Sequence, residues 1–374
     1  MARPSLRSVS PISTSIQSSL NCFLLMKIDI EERVFHFKQP AGTSRGIYTE
    51  RISWILSVKD DGGVCGVGEC APLPDLSCDA SPDYAATLEK FCSTVERNLS
   101  SYDTVDNISA VNVIPYEQMR DFPSMLFGLE TALWDLKRQY SKQKGHKEEP
   151  FSIPINGLVW MGSFDEMYQR INDKLSQGFK CVKLKIGAID WNREIELIRF
   201  IRSKFTKDQI ELRVDANGGF SPADALQKLQ LLAQYDIHSI EQPIRQHQWQ
   251  EMARLCRCTP LPIALDEELI GVNNPEEKIS LLDTIKPQYI ILKPSLHGGM
   301  LGCREWIKMA DERGIGSWIT SALESNIGLN AIAHFCADVY GKSVTMPQGL
   351  GTGMLFTDNV PMPLEIRGER LFVG

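Results

Sequence analysis

The chain has 374 residues, with 40 lysine and arginine and 47 aspartate and glutamate side chains, and therefore a formal net charge of −7. Its composition, 43% hydrophobic and 23% charged, is that of a globular protein and excludes a disordered or fibrous chain. No dense lysine or arginine block is present, which argues against nucleic acid or a membrane surface as the main partner, because both require a positive field. A small-molecule substrate is therefore favoured.

The ten cysteines include no Cys-x-x-Cys pair, so we expect free thiols in a reducing cytoplasm. No apolar run approaches the ~18 residues that a membrane span needs. The first 25 residues are rich in serine, contain arginine and lack acidic side chains. A transit peptide or a start site at Met26 would both explain this composition, and we predict a disordered extension over 1–25.

Strand-like patterns dominate from Met26 to about Leu56, and the pair Gly62-Gly63 then indicates a turn. These patterns predict an antiparallel meander. Apolar residues at helical spacing predict a helix over 123–140. The region 26–120 is therefore expected to be α+β.

After Pro150 short apolar strands alternate with amphipathic helices, which predicts parallel strands with right-handed crossovers. The predicted strands are 152–157, 181–186, 211–217, 239–243, 263–269, 289–295, 317–323 and, as a weak signal, 342–347. Ser163-x-x-Glu166 predicts a capping box, and Ser221-Pro222 predicts a second helix start. Eight strands in about 200 residues favour a closed barrel, and no GxGxxG or Walker loop supports an open sheet.

Polar side chains lie at the carboxyl ends of five consecutive predicted strands, about 25 to 30 residues apart, which is one β/α unit. They are Lys183 and Lys185, Asp215 and Asn217, Glu241, Asp266 and Glu267, and Lys293. In a β/α barrel the active site forms at these strand ends. We therefore expect these side chains to converge.

Asp215, Glu241 and Asp266 would repel one another strongly in a barrel mouth unless a cation lay between them. Ligands that are all oxygen favour Mg²⁺, with Mn²⁺ as a substitute. The alternative is that these residues are solvated loop acids or helix caps.

Lys183 and Lys185 are two residues apart on one strand, so they point to the same face, which in a barrel is the interior. Two adjacent ammonium groups are expected to lower the pKa of each other, and a lysine with a lowered pKa can act as a general base. Taken alone, a Lys-x-Lys pair would more often mark an exposed strand edge. A further polar residue, His297, is expected to be a solvated loop residue.

Together these residues resemble the enolase superfamily, specifically its muconate-lactonising subgroup. The resemblance rests on Lys183-x-Lys185, Asp215-x-Asn217, Glu241-Gln-Pro243, Asp266-Glu267 and Lys293. It implies a TIM-like (β/α)7β barrel over 121–349 and an α+β capping domain over 26–120 that residues 350–374 complete. The predicted seventh strand contains no histidine, which fits the two-lysine subgroup better than the mandelate-racemase-like members.

The resemblance also implies roles for these residues. Asp215, Glu241 and Asp266 would hold the metal, Lys185 would transfer the proton, Lys293 would supply positive charge, and Lys183 would tune Lys185. Four further residues are expected to contact the substrate or the metal ligands: Asn217, Glu267, Ser321 and Arg45.

Other stretches resemble the o-succinylbenzoate synthase family: 43–46, 68–74, 127–130, 291–295 and 321–328. This likeness implies magnesium-dependent dehydration of a small carboxylate in menaquinone biosynthesis. The charge composition predicts no nucleic-acid or membrane partner. An N-succinylamino acid racemase or a dipeptide epimerase of the same subgroup is the alternative, because it would need the same lysines and carboxylates. A metal-free Schiff-base aldolase and a non-catalytic barrel are the more distant alternatives. The oligomeric state is not predicted.

Overall fold

A computed structural model describes residues 26–43, 46–187, 189–353 and 355–374. The predicted extension over 1–25 and the candidate residue Arg45 lie outside these ranges. No helix within the described ranges is both long and apolar enough to cross a membrane. The nine cysteines in these ranges are free thiols.

The chain begins with a three-stranded antiparallel sheet in the order β1-β2-β3, as the strand patterns predict. Its strands are β1 (Met26–Thr43), β2 (Gly46–Asp60) and β3 (Cys65–Cys70). Gly63 turns the chain between β2 and β3 with a φ of 81°, a conformation that glycine adopts without steric cost.

Four helices follow this sheet: α1 (Tyr84–Leu99), α2 (Ala110–Val113), α3 (Tyr116–Met119) and α4 (Pro123–Gln143). Helix α4 lies so close to β3 that a Cβ added to Gly68 would be 2.0 Å from the carbonyl oxygen of Gly128. Leu129 of α4 belongs to the core beneath the antiparallel sheet, whereas Phe127 of the same helix belongs to the larger core that follows. Helix α4 therefore joins the two cores, and the boundary at 120/121 stays a prediction.

Seven parallel strands form the larger core in the order β5 to β11, with helices between them, which confirms the barrel fold class. The strands are β5 (Gly157–Val159), β6 (Cys181–Lys185), β7 (Glu211–Asp215), β8 (Ser239–Glu241), β9 (Ile263–Leu265), β10 (Tyr289–Leu292) and β11 (Gly316–Ile319). The helices are α5 (Phe164–Ser176), α6 (Trp191–Lys204), α7 (Pro222–Leu232), α8 (Trp249–Cys258), α9 (Pro275–Ile285), α10 (Gly299–Asp311) and α11 (Asn326–Tyr340).

A two-residue segment closes the barrel in place of a full eighth strand. Gln348 forms a parallel bridge with Ile155, and Gly349 forms one with Thr320 at the end of β11. The weakly predicted strand over 342–347 is wrong, because pairing begins only after Pro347, which has no N–H to donate to a ladder.

The first predicted barrel strand, 152–157, is divided between two sheets. Strand β4 (Phe151–Pro154) pairs antiparallel with the carboxyl-terminal strand β13 (Arg370–Val373), which pairs with β12 (Leu364–Arg367). The Ile155 N–H also donates to a carboxyl-terminal acceptor, the carbonyl of Glu369, at 2.8 Å. The same short segment also meets the closing residues of the barrel, since the Asn156 N–H donates to the Gln348 carbonyl at 3.0 Å, and the continuous barrel strand β5 begins at Gly157.

Most other barrel strands end earlier than the sequence predicts. The third, for example, ends at Asp215 rather than at Asn217, whose φ of 42° turns the chain out of the sheet. Apolar and polar alternation continues past the last ladder hydrogen bond, so periodicity alone overextends a strand into the loop that carries the site.

The two helix starts predicted from sequence are confirmed. Ser163 Oγ accepts from the Glu166 N–H at 3.4 Å, and the Glu166 carboxylate accepts from the Ser163 N–H at 2.8 Å. Ser221 Oγ accepts from the Asp224 N–H at 3.2 Å, with Pro222 as the first helical residue. These contacts satisfy backbone donors that have no partner inside the helix.

Candidate active site

A cavity lies at the carboxyl ends of the barrel strands, where the amino-terminal region covers the barrel mouth. The residues that line it come from both regions: Tyr48, Leu73, Leu76, Asn156, Leu158, Trp160, Lys183, Lys185, Asp215, Asn217, Glu241, Glu267, Lys293, Trp318, Thr320, Ser321, Ala322, Leu323, Gly349, Gly351 and Thr352. The strand-end residues expected to converge therefore share this cavity or, in the case of Asp266, contact a residue that lines it.

The two lysines of β6 reach the carboxylate at the end of the neighbouring strand. Lys183 Nζ and Lys185 Nζ each lie 2.9 Å from Asp215 Oδ2. Lys185 Nζ also donates to Asn217 Oδ1 at 2.6 Å, and Asn217 Nδ2 donates to Glu267 Oε1 at 2.9 Å. Both lysines face the interior because they are two residues apart on one strand. Asn217 and Glu267 therefore orient the Lys185 amine from its other side.

The other two carboxylates also contact lysines. Lys183 forms an ion pair with Glu241, and Lys293 forms one with Asp266. The side chains of Asp215 and Asp266 are 0% exposed and that of Glu241 is 3% exposed. Buried charges of this kind are stable only when they are paired.

No group of three or more His, Cys, Asp or Glu side chains within the described ranges is arranged as a metal-ion site. The donors nevertheless fit a divalent cation. Asp266 Oδ1 is buried without a hydrogen-bond partner among the described residues, and every candidate ligand atom is a carboxylate oxygen. Burial and the nearby Asp215 charge raise the pKa of Glu241 to about 8, and burial raises the pKa of Asp266. A raised pKa means that burial disfavours the ionised form of these two carboxyl groups, and a hard cation bound between them would favour that form.

The expectation that Lys183 has a lowered pKa is wrong in this structure. Burial alone would lower the pKa of Lys183, but Asp215 and Glu241 outweigh burial and leave the pKa above its ordinary value. The pKa of Lys293 is also above its ordinary value, because the charges of Asp266 and other nearby carboxylates together outweigh the effect of burial. The carboxylates that contact Lys183 therefore have a larger effect on its pKa than the neighbouring Lys185 has.

His297 is buried, contrary to the expectation of a solvated loop residue. Its Nδ1 accepts from the backbone N–H of Lys293 at 2.9 Å, which fixes the chain where Lys293 leaves β10. Burial and the nearby Lys293 charge hold the pKa of His297 well below its ordinary value. The imidazole is therefore a neutral acceptor that supports Lys293 from outside the cavity.

Sequence reasoning missed much of the cavity wall because it searched the strand ends for charge. Trp160 follows β5 directly, and its position at a strand end was the signal that could have identified it. Tyr48 and Leu73 come from the amino-terminal region and carried no such signal. Ser321 lines the cavity, and its Oγ lies 2.5 Å from Thr352 Oγ1, while its contact with the substrate stays a prediction.

Comparisons with known proteins agree with this architecture. Residues 166–371 match the family model described as enolase C-terminal domain-like. The chain is 46% identical over 365 residues to the o-succinylbenzoate synthase of Desulfotalea psychrophila, and the alignment covers 90% of this chain and 96% of that protein.

Solved structures give the same result. The crystal structure of MenC from Desulfotalea psychrophila superposes with a TM-score of 0.77 at 42% identity, covering 93% of this chain and 99% of that chain. A substrate-liganded complex of the L-Ala-D/L-Glu epimerase from Bacillus subtilis superposes with a TM-score of 0.74, covering 94% of this chain and 96% of that chain. At 22% identity, the second likeness concerns the fold alone. The chain therefore belongs to the enolase superfamily.

Proposed function

We propose that the chain is a carbon–oxygen hydro-lyase that converts 2-succinyl-6-hydroxy-2,4-cyclohexadiene-1-carboxylate to o-succinylbenzoate and water, a reaction of menaquinone biosynthesis in the cytoplasm. The observation that carries this proposal is the 46% identity to an o-succinylbenzoate synthase across 96% of its length. The lysines on both flanks of the carboxylates agree with it, because the reaction needs a base at the carbon next to a carboxylate.

Asp215, Glu241 and Asp266 are the residues that would hold Mg²⁺ or Mn²⁺. When bound there, the metal supplies positive charge to the substrate carboxylate as a Lewis acid. Removal of the metal by a chelator is therefore expected to abolish turnover.

Lys185 is the residue that transfers the proton in this proposal. Its amine, held between Asp215 and Asn217, takes the proton from the ring carbon that bears the carboxylate, and the C–H electron pair moves into the ring. The resulting ammonium then returns the proton to the hydroxyl leaving from the same face, so that the C–O bond breaks and water departs. The ring becomes aromatic, which drives the reaction forward.

Lys293 and Lys183 have supporting roles. Lys293 lines the cavity and supplies a compact positive charge while negative charge builds on the substrate. Lys183 pairs with Asp215 and Glu241 and so fixes two of the three carboxylates.

A racemase or epimerase of the same subgroup would use Lys185 and Lys293 as two bases on opposite faces of one carbon. The comparisons do not favour this alternative, since the epimerase structure is 22% identical and the synthase structure 42% identical.

The test is an assay of the purified protein with Mg²⁺ on two substrates in parallel, the cyclohexadiene precursor and an N-succinylamino acid. We expect o-succinylbenzoate to form from the first and kcat/KM to be at least a hundredfold lower for the second. Efficient racemisation without dehydration would contradict the proposal. Turnover that survives EDTA would instead indicate metal-free lysine chemistry.

A further inference from the structure

The loop that follows β11 forms one wall of the cavity through residues 320–323. Within it, Leu323 has a φ of 64°, in the left-handed region that a bulky L-residue seldom adopts. Its side chain belongs to the same apolar cluster as Leu73, Leu76 and Trp160, which also line the cavity. An unfavourable backbone conformation at a binding surface persists only when the surroundings impose it.

Two buried groups hold the chain at Ala322, directly before Leu323. Arg51 of β2, which is 3% exposed, donates to the carbonyl oxygens of Ala322 and Ala71. The Glu324 carboxylate, 0% exposed, accepts from the Ala322 N–H at 2.7 Å. The peptide units on both sides of Ala322 are therefore fixed.

A third buried group holds the chain after Leu323. Glu69 of β3 is 0% exposed and accepts from Ser325 N at 3.0 Å, Ser325 Oγ at 2.6 Å and Gly328 N at 3.0 Å. The motifs 68–74 and 321–328, which are distant in sequence, meet through this carboxylate.

Arg51 has both Glu69 and Glu324 near enough to interact with its charge. Burying three charged groups is weak support for stability, because their desolvation opposes their attraction. A buried network of this kind instead restricts the residues it contacts to a single conformation, here those of the loop after β11.

We propose that Arg51, Glu69 and Glu324 act as positioning residues that hold Leu323 in its left-handed conformation and so shape the apolar side of the substrate cavity. The amino-terminal sheet thereby sets substrate affinity without touching the reacting atoms. This inference rests on the proposed function only in taking this cavity as the substrate site.

The first experiment measures the loop itself and does not depend on any activity. In Arg51→Met, hydrogen–deuterium exchange of the peptide spanning 320–328 is expected to rise about tenfold over the wild type, because a charge-assisted hydrogen bond to the loop is lost. Arg33→Met is the matched control, since Arg33 of β1 donates to the carbonyl of Asp358 and not to this loop. Unchanged exchange in a folded Arg51→Met protein would overturn the inference.

The second experiment uses steady-state kinetics with the cyclohexadiene precursor. Arg51→Met is expected to raise KM about tenfold and to change kcat less than threefold, whereas Arg51→Lys should recover part of the affinity. In a Leu323→Ala background the same Arg51→Met change should raise KM less than threefold, because the two residues act on one surface. Independent, multiplicative effects would overturn the inference.

The inference can still be tested if Arg51→Met does not fold or if the wild type does not dehydrate the precursor. If Arg51→Met does not fold, Glu324→Gln supplies the exchange measurement, because it keeps the shape of the side chain and weakens its hold on the Ala322 N–H. If the wild type does not dehydrate the precursor, the proposed function fails, while the exchange experiment still decides whether this cluster holds the loop.

Discussion

At the residue scale, Lys183 and Lys185 differ in the contacts that their amines make. Lys183 is paired with two carboxylates, Asp215 and Glu241, whereas Lys185 contacts one carboxylate and the amide of Asn217. Lys185 also lies two residues, about 6.6 Å, nearer the carboxyl end of the strand. The amine with a single carboxylate partner is thus the one that lies nearer the carboxyl end of the strand.

We therefore expect Lys185→Arg to lose nearly all activity, at least a thousandfold in kcat, because arginine keeps the charge but does not release its proton at working pH. Lys183→Arg should lose less, since it keeps a positive charge beside Asp215. The measurement is exchange of the substrate's ring proton in deuterated water, which separates proton removal from later steps. Wild-type exchange in Lys185→Arg would transfer the role to Lys293.

Asp266 gives a second prediction at this scale. Asp266→Ala is expected to weaken Mg²⁺ binding at least tenfold in isothermal titration and to abolish turnover, because one of three ligands is removed. The fold should remain, because Lys293, which loses Asp266, keeps the nearby charges of Glu267 and Glu241. Asp208→Ala, at an exposed position, is the control. Equal Mg²⁺ affinity in both variants would show that Asp266 is not a ligand.

At the element scale, helix α5 depends on its first turn. Ser163 and Glu166 satisfy each other's backbone N–H groups there, and the helix packs its apolar face on the barrel through Met167 and Ile171. Local sequence specifies this start because both partners lie within one turn.

Ser163→Ala is accordingly expected to lower the free energy of unfolding by about 1 kcal/mol, the usual effect of losing an N-cap side chain. Ser176→Ala at the other end of α5 is the control, because Ser176 Oγ donates only to the Asp173 carbonyl on an exposed surface. Chemical denaturation of both variants is the measurement. Equal stability of the two would mean that the capping box does not stabilise α5.

At the scale of the whole molecule, His334 of α11 lies between Trp134 of α4 and Phe151 of β4, with ring centroids 4.9 and 5.1 Å away. Burial, with help from the positive charge of Arg138, lowers the pKa of His334 to about 4. In the unfolded chain the imidazole titrates near its ordinary pKa of about 6.5. Between these two values only the unfolded chain binds the proton.

The stability linked to His334 is therefore complete above about pH 6.5 and is lost as the pH falls towards 4, by up to about 3 kcal/mol. His334→Phe should remove this dependence, so the variant gains stability relative to the wild type as the medium becomes acidic. Unfolding free energies at pH 7.0, 5.5 and 4.5 are the measurement. His146→Phe, at an exposed position, is the control, and parallel curves for all three proteins would contradict the assignment.

The extension over 1–25 gives the last prediction. A protein that starts at Met26 is expected to match the full chain in Tm and in kcat/KM, because 1–25 is rich in serine and lacks acidic side chains, unlike the sequence that follows. Thermal unfolding and the dehydration assay on both proteins are the measurements. A fall of several degrees in Tm would show that the extension packs against the enzyme.

The sequence alone determined the barrel class, the helix starts and the strand-end residues from Lys183 to Lys293. Each of these depends on local patterns: alternation gives the strands, caps give the helix starts, and repeated β/α units place every strand's carboxyl end at one mouth. Side chains separated by about 25 to 30 residues along the chain therefore meet, whichever loops join them.

Only the tertiary structure decided the direction of the Lys183 pKa shift, the closure of the barrel at Gln348 and Gly349, and the meeting of Glu69 with Ser325. The pKa depends on distances to carboxylates from two other strands, which a single strand's spacing does not reveal. Barrel closure depends on where the carboxyl-terminal strands pair with β4. Glu69 and Ser325 are 256 residues apart, and only the docking of the amino-terminal sheet on the barrel brings them into contact.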